Sequence, residues 1–95
     1  MESKDLLNKL ERVERSLNIY DIKTESLVKE IEINIPLERL KTVVVPKDGD
    51  SLLYMGYILN ADQVEAFNKD LGGIIKADFN LYYYVLECHG IYNWD

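Results

Sequence analysis

The spacing of apolar residues in the first third of the chain changes from helical to strand-like. Apolar side chains recur at every third or fourth position over residues 1–13, which predicts an N-terminal helical extension that begins near Lys4 with Ser3 as its cap. Residues 14–35 alternate between apolar and polar positions around a central turn, and this pattern predicts a β-hairpin with one solvated face. No Gly or Pro separates the two patterns, so a helix that continues through Leu17 is the alternative.

A second helix and a loop follow the predicted hairpin. Pro36 fits the first turn of a helix, and the apolar residues at helical spacing after it predict a helix over residues 36–45. Residues 46–52 begin with Pro-Lys-Asp-Gly-Asp-Ser, a composition that predicts a loop. The stretch from Leu52 to Leu59 is compatible with a short strand before the next helix.

Capping residues and a long apolar run predict the last two elements. Asn60 followed by Gln63 is the pattern of a capping box, and it predicts a helix over residues 61–71 that Gly72-Gly73 ends. Residues 80–92 contain consecutive apolar side chains. This run predicts a strand that is buried on both faces and therefore central in its sheet.

Together these elements predict one domain of the α+β class over residues 1–95. We expect a small antiparallel sheet, made of the β-hairpin and the central C-terminal strand, packed with two or three short helices. A chain of 95 residues is long enough for one thin core. Its 47% apolar and 29% charged residues are typical of a globular chain and not of a disordered one.

Charge and aromatic residues are unevenly distributed. The formal net charge of -6 disfavours a direct nucleic-acid binder, because phosphate contacts need clustered cations. Residues 1–47 contain nine cations and nine anions, whereas residues 48–95 contain two cations, eight anions and nine of the ten aromatic residues. We therefore expect an acidic, aromatic-rich face that contacts a basic protein. In the alternative, the aromatic residues form the core and the acids solvate the surface. The candidate partner-binding residues are Asp48, Asp50, Tyr54, Asp62, Glu65, Tyr82, Tyr84, Glu87 and Trp94.

Residue types that carry catalysis or bind metals are sparse in this sequence. Cys88 and His89 are adjacent, but neighbouring side chains on a strand point to opposite faces, which disfavours a thiolate–imidazole pair. The run Asp48-Gly49-Asp50 suggests a calcium loop, yet Leu59 stands where the twelfth-position glutamate is required. One Cys and one His are too few for a structural zinc site. We therefore expect no enzyme activity, no cofactor and no metal.

The chain also lacks the sequence features of export or membrane insertion. Residues 1–5 have no basic segment, and no apolar segment of signal-peptide length follows them. The longest apolar runs are a few residues, far short of a bilayer span. We therefore expect a cytoplasmic protein in which Cys88 is a free thiol.

Short motifs in the chain resemble those of small bacterial immunity proteins. The hairpin run from Leu17 to Glu30 contains an aromatic-Asp-x-x-Thr turn like the one that joins the first two strands in these proteins. The ending, with an aromatic strand over residues 81–87 and Asn93-Trp94 close to the terminus, resembles cloacin-type immunity proteins. Residues 57–63 are similar to a Tyr-x-Leu-x-x-x-Gln pattern in domains found beside polymorphic and contact-dependent inhibition toxins.

This resemblance implies a stoichiometric inhibitor of a delivered bacterial toxin, most often a nuclease. Three other classes stay open at the sequence level. An acidic chain can mimic nucleic acid and inhibit many nucleic-acid-binding proteins. It can also be a structural interaction subunit that self-associates, or a small enzyme that depends on the thiol of Cys88. Homo-oligomer formation is possible under any of these readings but is not indicated.

Overall fold

The computed structural model describes residues 10–92, and within the first and last strands it describes the side chains from residue 14 to residue 89. Four strands form a single antiparallel sheet in the order β2-β1-β4-β3, and two helices complete the fold. The predicted α+β class is therefore confirmed. The elements are β1 (Leu10–Asp21), β2 (Leu27–Ile33), α1 (Leu37–Val43), β3 (Tyr57–Leu59), α2 (Ala61–Asp70) and β4 (Tyr82–Tyr92).

The central pair of strands joins the two ends of the described chain. β1 pairs with β4 along nearly its whole length, from Leu10 opposite Tyr92 to Asp21 opposite Tyr82. The prediction of a helix over residues 10–13 is wrong, and so is the alternative of a helix that continues through Leu17, because strand pairing overrides the helical spacing of the apolar residues. The rest of the predicted N-terminal helix, residues 1–9, lies outside the described residues.

A compact turn connects β1 to β2 as the sequence predicts. The Asp21 carboxylate accepts hydrogen bonds from the backbone N–H groups of Lys23 at 2.8 Å and Thr24 at 3.0 Å. These hydrogen bonds hold the pKa of Asp21 below its ordinary value, and the bond from Thr24 has the largest effect. Glu25 takes a positive φ of 58° at the end of the turn. The aromatic-Asp-x-x-Thr motif is therefore the hydrogen-bonded turn of the hairpin.

Helix α2 has the predicted capping box at its start. The Asn60 side chain accepts from the Gln63 backbone N–H at 2.9 Å, and the Gln63 side chain accepts from the Asn60 N–H at 2.8 Å. The other end of the Gln63 amide donates to the Val43 carbonyl at 3.2 Å, which ties α2 to the end of α1. Gly72 and Gly73, with φ values of 83° and 78°, follow the helix where the predicted glycine stop lies.

Both helices of the described chain pack on the same face of the sheet. Their buried residues, such as Leu40 and Phe67, lie in one cluster with the strand residues Leu17 and Leu86. Arg39 of α1 and Asp70 of α2 form an ion pair at 2.8 Å on the outer surface of this helical layer. No helix in residues 10–92 has the length and apolar character needed to cross a membrane.

The capping box predicts a measurable contribution to stability. Replacing Asn60 by Ala removes the acceptor for a helix N–H that has no other partner within the helix, and we expect a loss of about 1 kcal/mol in the free energy of unfolding. Denaturant unfolding measures this value. Lys76→Ala, at an exposed loop position, serves as the control and should change the free energy by less than about 0.5 kcal/mol. Equal effects of the two substitutions would contradict the capping role.

Candidate functional site

The sheet has a second face opposite the one that the two helices cover. Leu17 and Leu86 are cross-strand neighbours on the helical side. Because side chains alternate along a strand, the residues next to them point the other way. We call this surface the open face. Over residues 14–89 its side chains are Glu14, Ser16, Asn18, Tyr20, Glu30, Glu32, Ile58, Tyr83, Val85, Glu87 and His89.

Over residues 14–89 the strand side chains that bring full charge to the open face are all acidic. Four of its side chains are glutamates. Over residues 14–89 the strands contain two cations, Arg15 and Lys29, and both lie on the helical side as cross-strand neighbours of Ile33 and Ile19. The Arg15 guanidinium donates to the Leu52 carbonyl there at 2.7 Å. The glutamates therefore share their surface with aromatic, aliphatic and small polar side chains, and with no lysine or arginine from these stretches of strand.

A hydrogen-bonded cluster holds Glu87 near the centre of the open face. The Tyr20 hydroxyl donates to Glu87 Oε2, and Asn18 Nδ2 donates to the same oxygen at 2.7 Å. The Tyr20 ring stacks on Tyr83, with ring centroids 5.2 Å apart and planes within 13° of parallel. The bond to the Glu87 carboxylate raises the pKa of Tyr20, since loss of the phenol proton would place two negative charges in contact.

Two small polar residues lie below these larger side chains. Ser16 is 4% exposed and Asn18 is 2% exposed, although both belong to the open face. In the register of the sheet, Ser16 lies between Glu32 of β2 and Glu87 of β4. We call this feature the trough: Ser16 and Asn18 form its floor, and Glu32 and Glu87 form its two sides.

The trough lies next to a pocket at the end of the hairpin. The pocket has a volume of about 340 Å³ and lies where β1 enters the described sheet and β2 leaves it. Glu32 therefore borders both features. The residues that line the pocket are Glu14, Arg15, Glu32, Ile33, Asn34, Ile35 and Pro36.

Two of the predicted partner-binding residues lie inside the protein. Tyr84 is 1% exposed in the core, and its hydroxyl accepts from the Asp78 backbone N–H at 2.9 Å. Asp50 is 6% exposed and accepts from the Tyr54 and Met55 N–H groups at 2.7 and 3.0 Å. Asp50 also accepts from the Tyr57 hydroxyl at 2.5 Å. The prediction that these two residues contact a partner is wrong, because both side chains are buried and hold the fold together.

The other predicted residues do not form one surface. Asp62 and Glu65 are exposed on α2, on the helical side of the sheet, whereas Glu87 belongs to the open face. The remaining four lie elsewhere. Asp48 and Tyr54 are exposed in the loop between α1 and β3, Tyr82 is partly buried against the core, and Trp94 lies outside the described residues.

The open-face residues that precede residue 48 are absent from the predicted partner-binding set. Residues 1–47 have zero net charge, so the distribution of charge along the sequence does not single them out. One available signal was the alternation in β2, which places Glu30 and Glu32 together on its solvated side. The positions of Ser16 and Asn18 between β2 and β4 follow from the pairing of β1 with β4, for which the sequence carries no local signal.

Strand pairing also fixes the positions of Cys88 and His89, which were considered for catalysis and metal binding. Cys88 lies opposite Arg15 on the helical side, and His89 lies opposite Glu14 on the open face, as alternation predicts. Burial raises the pKa of the Cys88 thiol above its ordinary value. Across residues 10–92, no three His, Cys, Asp or Glu side chains are grouped to hold a metal ion.

The loop that Asp50 anchors should be sensitive to pH. Burial alone would raise the pKa of Asp50, but the hydrogen bonds from Tyr57, Met55 and Tyr54 together lower it below its ordinary value. A lowered pKa in the folded state means that this carboxylate stabilises the fold fully above the unfolded-state pKa of about 3.9. That contribution is lost as the pH falls through the folded-state pKa.

We therefore expect Asp50→Asn to lower the free energy of unfolding at pH 7 and to lower it progressively less below about pH 4. Denaturant unfolding at pH 7, 5 and 3 measures this trend. Asp48→Asn, at an exposed position in the same loop, is the matched control and should have a small effect throughout. An Asp50→Asn effect that is the same at pH 7 and pH 3 would contradict the anchoring role.

Comparison with known proteins places the chain in a family. No curated protein and no solved structure matches it. A family model with the description "Domain of unknown function (DUF7683)" matches residues 14–87, a range that runs from the open-face residue Glu14 in β1 to Glu87 in β4 and includes every residue of the trough. The chain therefore belongs to the DUF7683 family.

Proposed function

We propose that the chain is an immunity-type protein that binds and neutralises a bacterial toxin domain through the open face of its sheet. The toxin would be a basic nuclease domain, the class implied by the motifs shared with immunity proteins, and the encounter would take place in the cytoplasm without a cofactor or metal. The observation that carries the proposal is the composition of the open face. Over residues 14–89 it combines four glutamates with one exposed isoleucine and with half-buried valine and tyrosine side chains.

The charge of the open face favours a cationic partner. A nuclease must attract a polyanionic substrate, so the surface around its active site is rich in Lys and Arg. A surface of opposite sign steers such a protein into contact and accelerates association. Fast capture matters for an inhibitor of this kind, because an unbound toxin turns over its substrate continuously.

The uncharged side chains of the open face supply the contacts that an interface core needs. Ile58 is 76% exposed at the β3 edge. Tyr20 and Tyr83 form a stacked pair whose rings restrain each other, and Val85 lies on the strand between Tyr83 and Glu87. Aromatic residues held in one conformation are frequent binding hot spots, because little conformational entropy is lost when a partner covers them.

The placement of the thiol supports a binding protein over a thiol-dependent enzyme. Cys88 lies on the helical side and His89 on the open face, so the imidazole is not positioned to accept the thiol proton. The raised pKa of Cys88 further disfavours the reactive thiolate at neutral pH. Cys88→Ser should therefore leave toxin protection intact.

The proposal is tested by exchanging charge on one face of the molecule at a time. The candidate partner for this test is the C-terminal domain of a protein encoded by the reading frame directly upstream of the gene. We expect it to inhibit growth, and we expect co-expression of the chain to restore growth. The double variant Glu30→Lys/Ile58→Lys alters the open face, whereas Asp62→Lys/Glu65→Lys alters the exposed side of α2 and is the matched control.

We expect the open-face variant to lose protection and to associate at least about tenfold more slowly at low salt, with the control close to the parent chain. Stopped-flow association and growth rescue measure the two effects. An upstream domain that is not toxic or does not bind would contradict the proposed function, as would loss of binding in the α2 variant alone. Inhibition of many unrelated nucleic-acid-binding proteins would instead indicate a nucleic-acid mimic.

A further inference from the structure

The trough brings hydrogen-bond acceptors of three neighbouring strands together on the open face. Ser16 of β1 lies in one row with Glu32 and Glu87, and adjacent strands are about 4.8 Å apart. Asn18 is two residues further along β1 on the same face. Glu32 and Glu87 have no lysine or arginine partner among the described side chains. Two carboxylates therefore flank a buried hydroxyl at the centre of the sheet.

The floor of the trough contains acceptors that the described protein leaves without a partner. Ser16 Oγ and Asn18 Oδ1 are both buried and neither has a hydrogen-bond partner among the described residues. Buried polar atoms of this kind are uncommon in folded proteins, because each one costs the free energy of its lost hydration. Two of them below a pair of carboxylates that have no lysine or arginine partner among the described side chains indicate that the trough receives a donor from another molecule.

We propose that the trough is the binding site for the guanidinium group of an arginine side chain supplied by a protein partner. The inference deepens the proposed function and rests on it, since it names the chemical group through which the cationic partner is recognised. The guanidinium enters between Glu32 and Glu87 and donates to them. Ser16 Oγ and Asn18 Oδ1 are covered in the unbound structure, so the side chains above them shift as the guanidinium enters, and its remaining N–H groups then donate to these two atoms.

The hydrogen bonds around Glu87 prepare it for this role. Both Tyr20 and Asn18 donate to Oε2, so the carboxylate is held in one orientation and Oε1 is left for the incoming group. The bond to Asn18 uses its Nδ2, which leaves Oδ1 as an acceptor. A carboxylate that is already oriented loses little conformational entropy on binding.

The shape and chemistry of the trough favour arginine over other cations. A guanidinium is planar, carries five N–H donors and no acceptor, and can bond to acceptors on several sides at once. The stacked rings of Tyr20 and Tyr83 border the site and provide the aromatic surface on which a guanidinium packs. A lysine ammonium is a compact point charge with three donors and fits this spread of acceptors less well.

Free amino-acid derivatives test the inference on the isolated chain. The probe is N-acetyl-L-arginine methylamide, titrated into ¹⁵N-labelled protein. We expect saturable shifts of the Asn18 side-chain amide and the Ser16 backbone amide, with a Kd on the order of millimolar. The citrulline analogue has nearly the same shape but no charge, and it should give no saturable shift. The lysine analogue should bind several-fold more weakly.

Substitutions in the trough provide the second arm of the test. Glu87→Gln should weaken arginine binding roughly tenfold, because it removes a charge-assisted bond. Ser16→Val replaces a hydroxyl that has no partner by a methyl group in a strand. It should abolish binding without lowering thermal stability. If Ser16→Val does not fold, Glu32→Gln takes its place and tests the side of the trough that β2 forms. Asp62→Asn on α2 is the control and should bind as the parent chain does.

Several outcomes would overturn the inference. Arginine binding that survives in Ser16→Val and Glu87→Gln would place the site elsewhere. Lysine binding as tight as that of arginine, or the same shifts on adding CaCl₂, would show a general cation site. These measurements use no toxin, so their failure leaves the proposed function standing. Loss of toxin binding while arginine still binds would count against the proposed function alone.

Discussion

The antiparallel pairing of β1 with β4 is the constraint on which the rest of this structure depends. It joins segments more than 60 positions apart in sequence and makes both strands central in the sheet. On one face it places Leu17 beside Leu86, which starts the core that the helices cover. On the other face it places Ser16 beside Glu87, which creates the trough. One register therefore determines both the stability of the fold and the composition of its open face.

Features that depend on neighbours in sequence could be predicted from the sequence. The capping box of Asn60 and Gln63, the glycine stop after α2 and the turn at Asp21 each involve residues a few positions apart, so their chemistry is visible in a short window. The central position of β4 was also predictable, because its apolar residues are continuous. The helix predicted over residues 10–13 failed because its apolar spacing fits a helix, while its actual partner strand lies at the other end of the chain.

The candidate site was less predictable, because it too depends on pairing between strands that are distant in sequence. Charge was counted along the chain, where residues 48–95 hold the acidic excess, but the fold sends Asp62 and Glu87 to opposite sides of the sheet. It also uses Asp50 as the acceptor that fixes a loop. In their place the sheet brings Glu30 and Glu32 of the first half onto the same face as Glu87, on the other side of β1. An acidic, aromatic surface is present, but strands from both halves build it.

The central claim of this account is that the open face, and not the helical side, meets the partner protein. Methyl cross-saturation NMR tests it most directly, with the chain deuterated except at its labelled methyl groups and with the protonated partner domain irradiated. The methyl groups of Ile58 and Val85 on the open face should lose intensity, while those of Val45 and Ile74, in the loops after α1 and α2, should not. Saturation at Val45 and Ile74 with Ile58 and Val85 unaffected would contradict the account.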